Sequence, residues 1–136
     1  MKKLVVLDGY SMNPGDLSWQ DLKELVDTEI YDRTHPDQIV ERVADADMLI
    51  TNKVAIEGEL MRQLPRLAYI GVAATGYNIV DTKVAKELGK TVTNVPAYAT
   101  ASVAQFVFAL LLELCHNVKL HSDAVRVGAW TRNKCS

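Results

Sequence analysis

Short apolar runs rich in β-branched residues alternate with amphipathic segments along the whole chain. Five of these runs have the length and composition of β-strands: residues 4–7, 28–31, 48–51, 67–72 and 91–94. The segments between them repeat apolar residues at the three- and four-residue spacing of helices. Strands that alternate with helices in this way form parallel sheets with crossover helices, so the pattern predicts an α/β fold.

Right-handed crossovers and short connections leave few ways to arrange five such strands. The sequence predicts a flavodoxin-like, doubly wound, five-stranded parallel sheet with the strand order 2-1-3-4-5. Residues 67–72 are almost wholly apolar. We therefore expect the fourth strand to be central and buried on both faces.

Capping residues predict where the helices begin and end. Asp81 is expected to cap one helix at its N-terminus, and Gly89 stands where a left-handed residue would end it. Ser18 is expected to cap an earlier helix whose buried residues are Trp19, Leu22, Leu25 and Val26.

The last third of the chain contains its most apolar segment. Ser102 and Gln105 have the spacing of a capping box, which predicts one long helix from Ser102 to about Val127, followed by Gly128. Apolar residues extend nearly all round this helix, so it needs a covering surface. We expect a homodimer through the helix 102–127, with or without exchange of helices between the copies.

The composition is that of one soluble globular domain of 136 residues, 49% apolar and 24% charged. The formal charge of -2 provides no basic surface, so neither nucleic acid nor an acidic membrane is expected as a partner. Asp8 interrupts the start before a signal-peptide core can form, and the apolar stretch 103–115 is too short for a bilayer of roughly 30 Å. The two cysteines have no disulfide-framework spacing, so we expect a cytoplasmic protein.

Known phosphate- and nucleotide-binding loops are absent from the sequence. The seven glycines include no GxG pair, so neither GxGxxG nor GxxxxGK[ST] occurs. A phosphate-accepting receiver domain needs an Asp after the third strand and a Lys after the fifth, where this chain has Thr51 and Asn94. The first loop begins with Asp8, which would repel the phosphate that a flavodoxin loop binds.

Several motifs occur in an order typical of one family. They are GVAATGYNIVD at residues 71–81, then Ala85 and Gly89, VTNVP at 92–96 and SVAQ at 102–105. This pattern resembles the D-isomer-specific 2-hydroxyacid dehydrogenases, and within them the glycerate dehydrogenase and hydroxypyruvate reductase group. The resemblance covers essentially the whole chain, from Asn52 after the third strand to the Gly128-Ala129-Trp130 stretch. The family usually has an acidic residue and an Asn before the final Asp of the first motif. Here Asn78-Ile79-Val80 precede Asp81, so the substrate subgroup stays open.

The resemblance implies two parts. Residues 1–100 would form the substrate-binding, or catalytic, domain. Residues 101–136 would form the interdomain helix and the start of a nucleotide-binding domain. The full-length enzymes use NAD or NADP to oxidise or reduce a small 2-hydroxy or 2-keto acid.

The family's catalytic Arg, Glu and His would lie beyond Ser136, together with GxGxxG. We therefore expect the isolated chain to be a truncated, inactive dehydrogenase that binds no dinucleotide tightly. Its own histidines lack metal-ligand spacing, so no metal is expected, and they are interpreted as structural or solvated: His35, His116 and His121.

A turn of small residues follows the fourth strand and consists of Ala73, Ala74, Thr75 and Gly76. Converging main-chain N–H groups in such a turn can bind a carboxylate, and Gly76 can adopt positive φ. Asn52 and, more weakly, Lys53 can reach the same place from the neighbouring strand. Spacing alone favours an ordinary βα turn, whereas the family resemblance favours a substrate site. A competing hypothesis is a free-standing, non-catalytic α/β module that binds a small carboxylate or only itself.

Overall fold

The computed structural model describes residues 2–129 and 131. The chain forms two compact units, Met1–Pro96 and Ala97–Ser136. The first unit contains the sheet with its connecting helices. The described residues of the second unit form two consecutive helices.

The first unit alternates strands and helices as the pattern of apolar residues predicts. Its strands are β1 (Lys3–Val6), β2 (Asp27–Ile30), β3 (Met48–Thr51), β4 (Tyr69–Val72) and β5 (Thr91–Asn94). Its helices are α1 (Gly9–Met12), α2 (Gln20–Leu25), α3 (Ile39–Val43), α4 (Gly58–Arg62) and α5 (Thr82–Glu87), with a 3-10 turn at Pro36–Gln38. All neighbouring strands pair in parallel in the order β2-β1-β3-β4-β5. The predicted α/β fold and strand order are confirmed.

The fourth strand differs from its prediction in two respects. It begins at Tyr69, because Leu67 still belongs to the preceding turn, where its N–H donates to the carbonyl of Leu64 at 3.2 Å. It lies between β3 and β5, so β3 and not β4 is the middle strand. Ile70, Gly71 and Val72 are nevertheless buried, as expected for an interior strand.

The core is organised by residues at the same level of adjacent strands. Val5 of β1 pairs with Leu49 of β3, which pairs with Ile70 of β4, and all three side chains are fully buried. Burial of each such side chain stabilises the fold by about 1.5–3 kcal/mol. Residues from the connecting segments complete this core: Leu7, Ile39, Val43, Ile56, Met61, Leu64 and Ala85.

The helix predicted after Ser18 is shorter than its apolar pattern suggests. The N-cap of α2 is Trp19, so the prediction that Ser18 caps this helix is wrong, although the Ser18 hydroxyl accepts a hydrogen bond from the N–H of Gln20 at 3.0 Å. Helix α2 has only six residues, and the extended backbone of Val26 leads directly into β2. Leu25 is therefore 83% exposed, and the prediction that it is buried is wrong.

The caps of α5 agree with the sequence. The Asp81 carboxylate accepts hydrogen bonds from the N–H groups of Lys83 and Val84 at 3.2 and 3.1 Å. Gly89 follows the helix with a φ of 67°, the left-handed conformation that glycine adopts without strain. These two residues fix the connection from α5 to β5.

An ionic cluster lies at the amino end of the sheet. The ammonium group of Lys3 is 3.0 Å from carboxylate oxygens of both Glu29 and Asp45. Hydrogen bonds from Tyr31 and then Lys3 lower the pKa of Glu29, and Lys3 likewise lowers the pKa of Asp45. The main-chain N–H of Lys3 donates to Asp47 and lowers the pKa of that carboxyl.

This cluster predicts a loss of stability in acid. The pKa values of Glu29, Asp45 and Asp47 are lower in the folded chain than their ordinary values of 4.5, 3.8 and 3.8. Their contribution to the free energy of unfolding is therefore present above those ordinary values and is lost as the pH falls through the lowered ones. The change Lys3→Met removes the ammonium group beside Glu29 and Asp45, so it should reduce the loss of stability between about pH 5 and about pH 2 in urea titrations. An unchanged pH profile in this variant would contradict the role of the Lys3 ammonium group.

The second unit corrects the expectation of one long helix. Helix α6 spans Thr100–His116 and α7 spans Val118–Arg126, with Asn117 between them at φ 48° and ψ 46°. Asn117 adopts this left-handed conformation more readily than most residues, and its N–H donates to the carbonyl of Glu113 at 2.8 Å. The predicted capping box at Ser102 is also wrong, because α6 begins two residues earlier and no side chain caps it.

The apolar helix α6 is not a membrane span by itself. Among the described residues, no single helix is both long enough and apolar enough to cross a bilayer. Helices α6 and α7 meet those criteria of length and composition only as a pair, and they are bent by 57°.

Candidate functional site

The loops that follow the strands meet at the carboxyl edge of the sheet, where open α/β sheets bind their ligands. Residues 8–11 follow β1, residues 52 and 53 follow β3, and residues 73–76 follow β4. The parallel register places Thr51 beside Val72, so the loops after β3 and β4 begin at the same level. The site-forming residues predicted from the sequence therefore lie on adjacent loops of one edge.

Asp8 holds the loops after β1 and β3 together. Its carboxylate accepts hydrogen bonds from the N–H of Asn52 at 2.9 and 3.1 Å, and from the N–H of Lys53 at 2.6 Å. The Ser11 hydroxyl donates to the same carboxylate at 3.1 Å. Asp8 is only 5% exposed, so burial removes most of the water around its carboxylate. The hydrogen bonds from these donors replace those lost to water.

The role of Asp8 was not predicted from the sequence. From the sequence alone, Asp8 is expected only to repel phosphate. The sequence does show that Asp8 comes directly after a buried strand, and the end of β1 lies beside the end of β3. Unpaired N–H groups of the next loop are available there to a carboxylate acceptor.

Asn52 is oriented towards the loop after β1. Its side-chain amide donates to the carbonyl and the hydroxyl of Ser11 at 3.3 and 3.1 Å. Within the described part of the chain, no hydrogen bond uses the Asn52 Oδ1 atom, so this oxygen stays available to a ligand. The Lys53 side chain is exposed and has no ion-pair partner among the described residues. The structure thus groups Asn52 with Asp8 and Ser11, and its predicted role in binding substrate stays a prediction.

The turn after β4 is fixed by its neighbours on both sides. The N–H of Ala73 donates to the carbonyl of Thr51 at 2.8 Å, which continues the pairing with β3. On the other side, the N–H of Val95 donates to the carbonyl of Ala74 at 3.1 Å. The Asn94 amide donates to the carbonyl of Thr75 at 2.8 Å. From the sequence, Asn94 only excludes a receiver domain, and no local signal predicts its support of this turn.

The same hydrogen bonds leave donors free on the turn. In the part of the chain that the structure describes, no hydrogen bond uses the N–H groups of Ala74, Thr75 and Gly76. Thr75 and Gly76 are exposed, and Ala73 and Ala74 are partly buried. Three successive free N–H groups beside small side chains are suited to binding the oxygens of an anion.

The expected conformation of Gly76 is wrong. Positive φ occurs at Gly15, Gly89 and Gly128, but Gly76 has an ordinary backbone conformation. A Cβ atom at Gly76 would lie 3.3 Å from the Oδ1 of Asn78, which is a close contact and not a severe clash. Glycine at this position therefore keeps the surface of the turn open, and backbone strain does not require it.

Metal chemistry has no support in the described residues, which contain no group of three or more potential metal-ligating side chains. His35 lies at the surface, with its Nδ1 atom 2.7 Å from a carboxylate oxygen of Asp37. His116 and His121 are exposed on α6 and α7. None of the three histidines lies in the loops after β3 and β4.

The fold is an open parallel α/β domain, and the turn after β4 presents unused main-chain N–H groups at its carboxyl edge. A family model for the D-isomer specific 2-hydroxyacid dehydrogenase catalytic domain matches residues 5–132. The chain therefore belongs to the D-isomer specific 2-hydroxyacid dehydrogenase family.

Individual relatives agree with this assignment. The chain is 48% identical over 134 residues to the hydroxypyruvate reductase of Blautia hydrogenotrophica, covering 96% of this chain and 42% of that protein. It is 35% identical over 134 residues to the glycerate dehydrogenase of Methylorubrum extorquens, covering 98% of this chain and 42% of that protein. The 2-hydroxyacid dehydrogenase of Ketogulonicigenium vulgare Y25 has the same fold, with a TM-score of 0.77 at 20% identity over 100% of this chain and 43% of that one. The chain thus spans about two fifths of these relatives.

Proposed function

We propose that this chain supplies the substrate-binding lobe of an NAD(P)-dependent D-2-hydroxyacid dehydrogenase of the hydroxypyruvate reductase or glycerate dehydrogenase type. The main support is the turn at residues 73–76, whose free N–H groups suit the carboxylate of a 2-hydroxy or 2-keto acid. The 48% identity to a hydroxypyruvate reductase supports this substrate class.

The turn would bind and orient the substrate. Three main-chain N–H groups would hold the substrate carboxylate in one orientation, without a mobile cationic side chain. The C2 atom of the substrate would then lie in a fixed position for hydride transfer. Asn52 lies on the neighbouring loop, and its free Oδ1 atom would accept a hydrogen bond from a hydroxyl group of the substrate. Substrate positioning of this kind is the contribution that the residues of this chain can make to hydride transfer.

The described residues do not fit a dinucleotide. The sequence has no GxGxxG turn, and the Asp8 carboxylate lies between the ends of β1 and β3, where its charge would repel a pyrophosphate. The nicotinamide cofactor and the Arg, Glu and His of the family would therefore come from a nucleotide-binding lobe. We expect this chain by itself to be inactive and to bind no dinucleotide tightly.

A chimeric enzyme tests the proposed function. The chain would replace the matching N-terminal segment of the Blautia hydroxypyruvate reductase, with which it aligns over 134 residues. We expect reduction of hydroxypyruvate with NADH or NADPH at a kcat/KM within about tenfold of the parent enzyme, a difference of about 1.4 kcal/mol in the barrier. The parent enzyme without its N-terminal segment is the control and should be inactive. A folded chimera that binds the nucleotide but does not reduce hydroxypyruvate would contradict the proposal.

We also propose that the second unit forms a homodimer through α6. Phe106 and Phe108 are each 64% exposed, and further apolar side chains of α6 are at least half exposed. Burying such a continuous apolar surface against a second copy would remove it from water. Sedimentation should therefore show a dimer at micromolar concentration, whereas Phe106→Glu should shift the chain towards monomer. A wild-type chain that sediments as a monomer would rule out this assembly.

A further inference from the structure

A cleft separate from the small-residue turn lies over the ends of β1, β2 and β3. Its volume is about 920 Å³, within the range of about 300–1,000 Å³ that small-molecule sites occupy. The order β2-β1-β3-β4-β5 reverses direction between β1 and β3, and open α/β sheets bind ligands at this reversal. The cleft contains none of residues 73–76, so it is a different place from the proposed carboxylate turn.

The walls of the cleft are largely apolar. Tyr10 comes from the loop after β1, Pro36 and Ile39 from the 3-10 turn and α3, and Val54 and Leu60 from the segment after β3. The guanidinium group of Arg33 lies 5.1 Å from the centre of the Tyr10 ring. This cation–π contact holds a charged group against an apolar wall.

Four charged side chains of the cleft are unpaired. Arg33 and Asp32 follow β2, while Lys53 and Glu57 follow β3, so each wall has one cation and one carboxylate. Within the described part of the chain, these four side chains form no ion pair and no side-chain hydrogen bond.

The remaining charged groups at the cleft are already satisfied. Asp8 accepts hydrogen bonds from Ser11 and from the main chain of residues 52 and 53. His35 is paired with Asp37 at 2.7 Å. The unpaired charges are thus balanced, with two cations and two carboxylates.

We propose that this cleft binds a small zwitterion, an α-amino acid with an apolar side chain. Arg33 or Lys53 binds its carboxylate, and the guanidinium group allows two parallel hydrogen bonds. Asp32 or Glu57 binds its ammonium group, and the apolar wall covers its side chain. A 2-keto acid has no ammonium group and leaves the carboxylates of the cleft unpaired, so it binds more weakly.

Three ligands of matched shape test this assignment on the complete chain. Leucine, 4-methyl-2-oxopentanoate and 3-methylbutan-1-amine share one apolar body and differ only in their charged groups. In amide NMR spectra, leucine should saturably shift the resonances of Tyr10, Arg33 and Lys53, and the other two ligands should bind at least about tenfold more weakly. No saturable shift with either enantiomer of leucine, or equal binding of the keto acid, would overturn the proposal.

Two substitutions locate the ligand. Arg33→Gln and Asp32→Asn should each weaken leucine binding by about tenfold or more, because each removes one charged partner. Lys23→Gln, on α2 and outside the cleft, is the matched control and should leave leucine binding unchanged. Equal affinities of all three variants and the wild-type chain would overturn the proposed site. Since no residue of the turn is altered, these results are independent of the chimera experiment.

Discussion

Replacing Asp8 with alanine is expected to lower the free energy of unfolding by about 2–5 kcal/mol. The substitution removes a buried acceptor and leaves the N–H groups of Asn52 and Lys53, together with the Ser11 hydroxyl, without their partner. Each of these partly buried donors would have to find water or move. Urea denaturation followed by circular dichroism measures the loss.

Two further variants make the Asp8 experiment specific. Asp8→Asn keeps one side-chain oxygen as an acceptor, so its loss should fall between those of alanine and wild type. Asp16 is exposed and makes no side-chain hydrogen bond among the described residues, so Asp16→Ala should cost less than about 0.5 kcal/mol. Equal stabilities of Asp8→Ala and Asp16→Ala would show that the Asp8 carboxylate does not hold the two loops together.

The second large effect is expected at Gly76. In the chimeric reductase, Gly76→Ala should lower kcat/KM for hydroxypyruvate by about 100-fold, because a methyl group on the turn displaces the substrate from its N–H donors. Folding should be little affected. The backbone of Gly76 is ordinary, and the added Cβ would meet only Asn78 Oδ1, at 3.3 Å. Steady-state kinetics and thermal denaturation separate the two effects.

An exposed alanine provides the control for Gly76. Ala44 is exposed at the end of α3 and is far from the turn in sequence. The change Ala44→Val therefore adds apolar atoms away from the proposed substrate site. This variant should retain the kcat/KM of the chimera. If Gly76→Ala also retains it, the substrate does not approach the turn.

The features of the fold that follow from local pattern were predictable. Runs of apolar residues identified the strands, and the resulting register brings Val5, Leu49 and Ile70 together in the core. Asp81 was recognised as a cap because an acceptor at that position satisfies N–H groups two and three residues later. The apolar run of a strand and the cap of a helix each extend over only a few residues, so the sequence contains the information.

Interactions between distant residues were not predictable. Asp8 reaches residues 52 and 53, which only the paired strands bring close. Lys90 is buried, and its ammonium group donates to the carbonyls of Leu64 and Leu67 at 2.8 and 2.6 Å. Burial lowers the pKa of Lys90. A lysine near a helix end gives no local signal of such burial, since lysine is usually exposed.

The break between α6 and α7 at Asn117 shows a second reason why sequence patterns fail to predict structure. Apolar periodicity continues across it from α6 into α7, so the pattern predicts one helix. A single left-handed residue interrupts the backbone without changing that pattern, and asparagine is one of the few residues that adopts this conformation readily. The turn at residues 73–76 is a similar case. The N–H groups of residues 74–76 are free because residues 94 and 95 donate to the carbonyls of the turn and supply no acceptor for these groups, and the composition of the turn does not reveal this.

Binding of a keto acid to the turn is tested most directly by titrating the chain with hydroxypyruvate and recording amide NMR spectra. We expect the N–H resonances of Ala74, Thr75 and Gly76 to shift more than those of other residues. Dihydroxyacetone, which lacks the carboxylate, should leave them in place. Unchanged resonances at these three residues, or equal shifts with dihydroxyacetone, would contradict the assignment of the turn as the carboxylate-binding site.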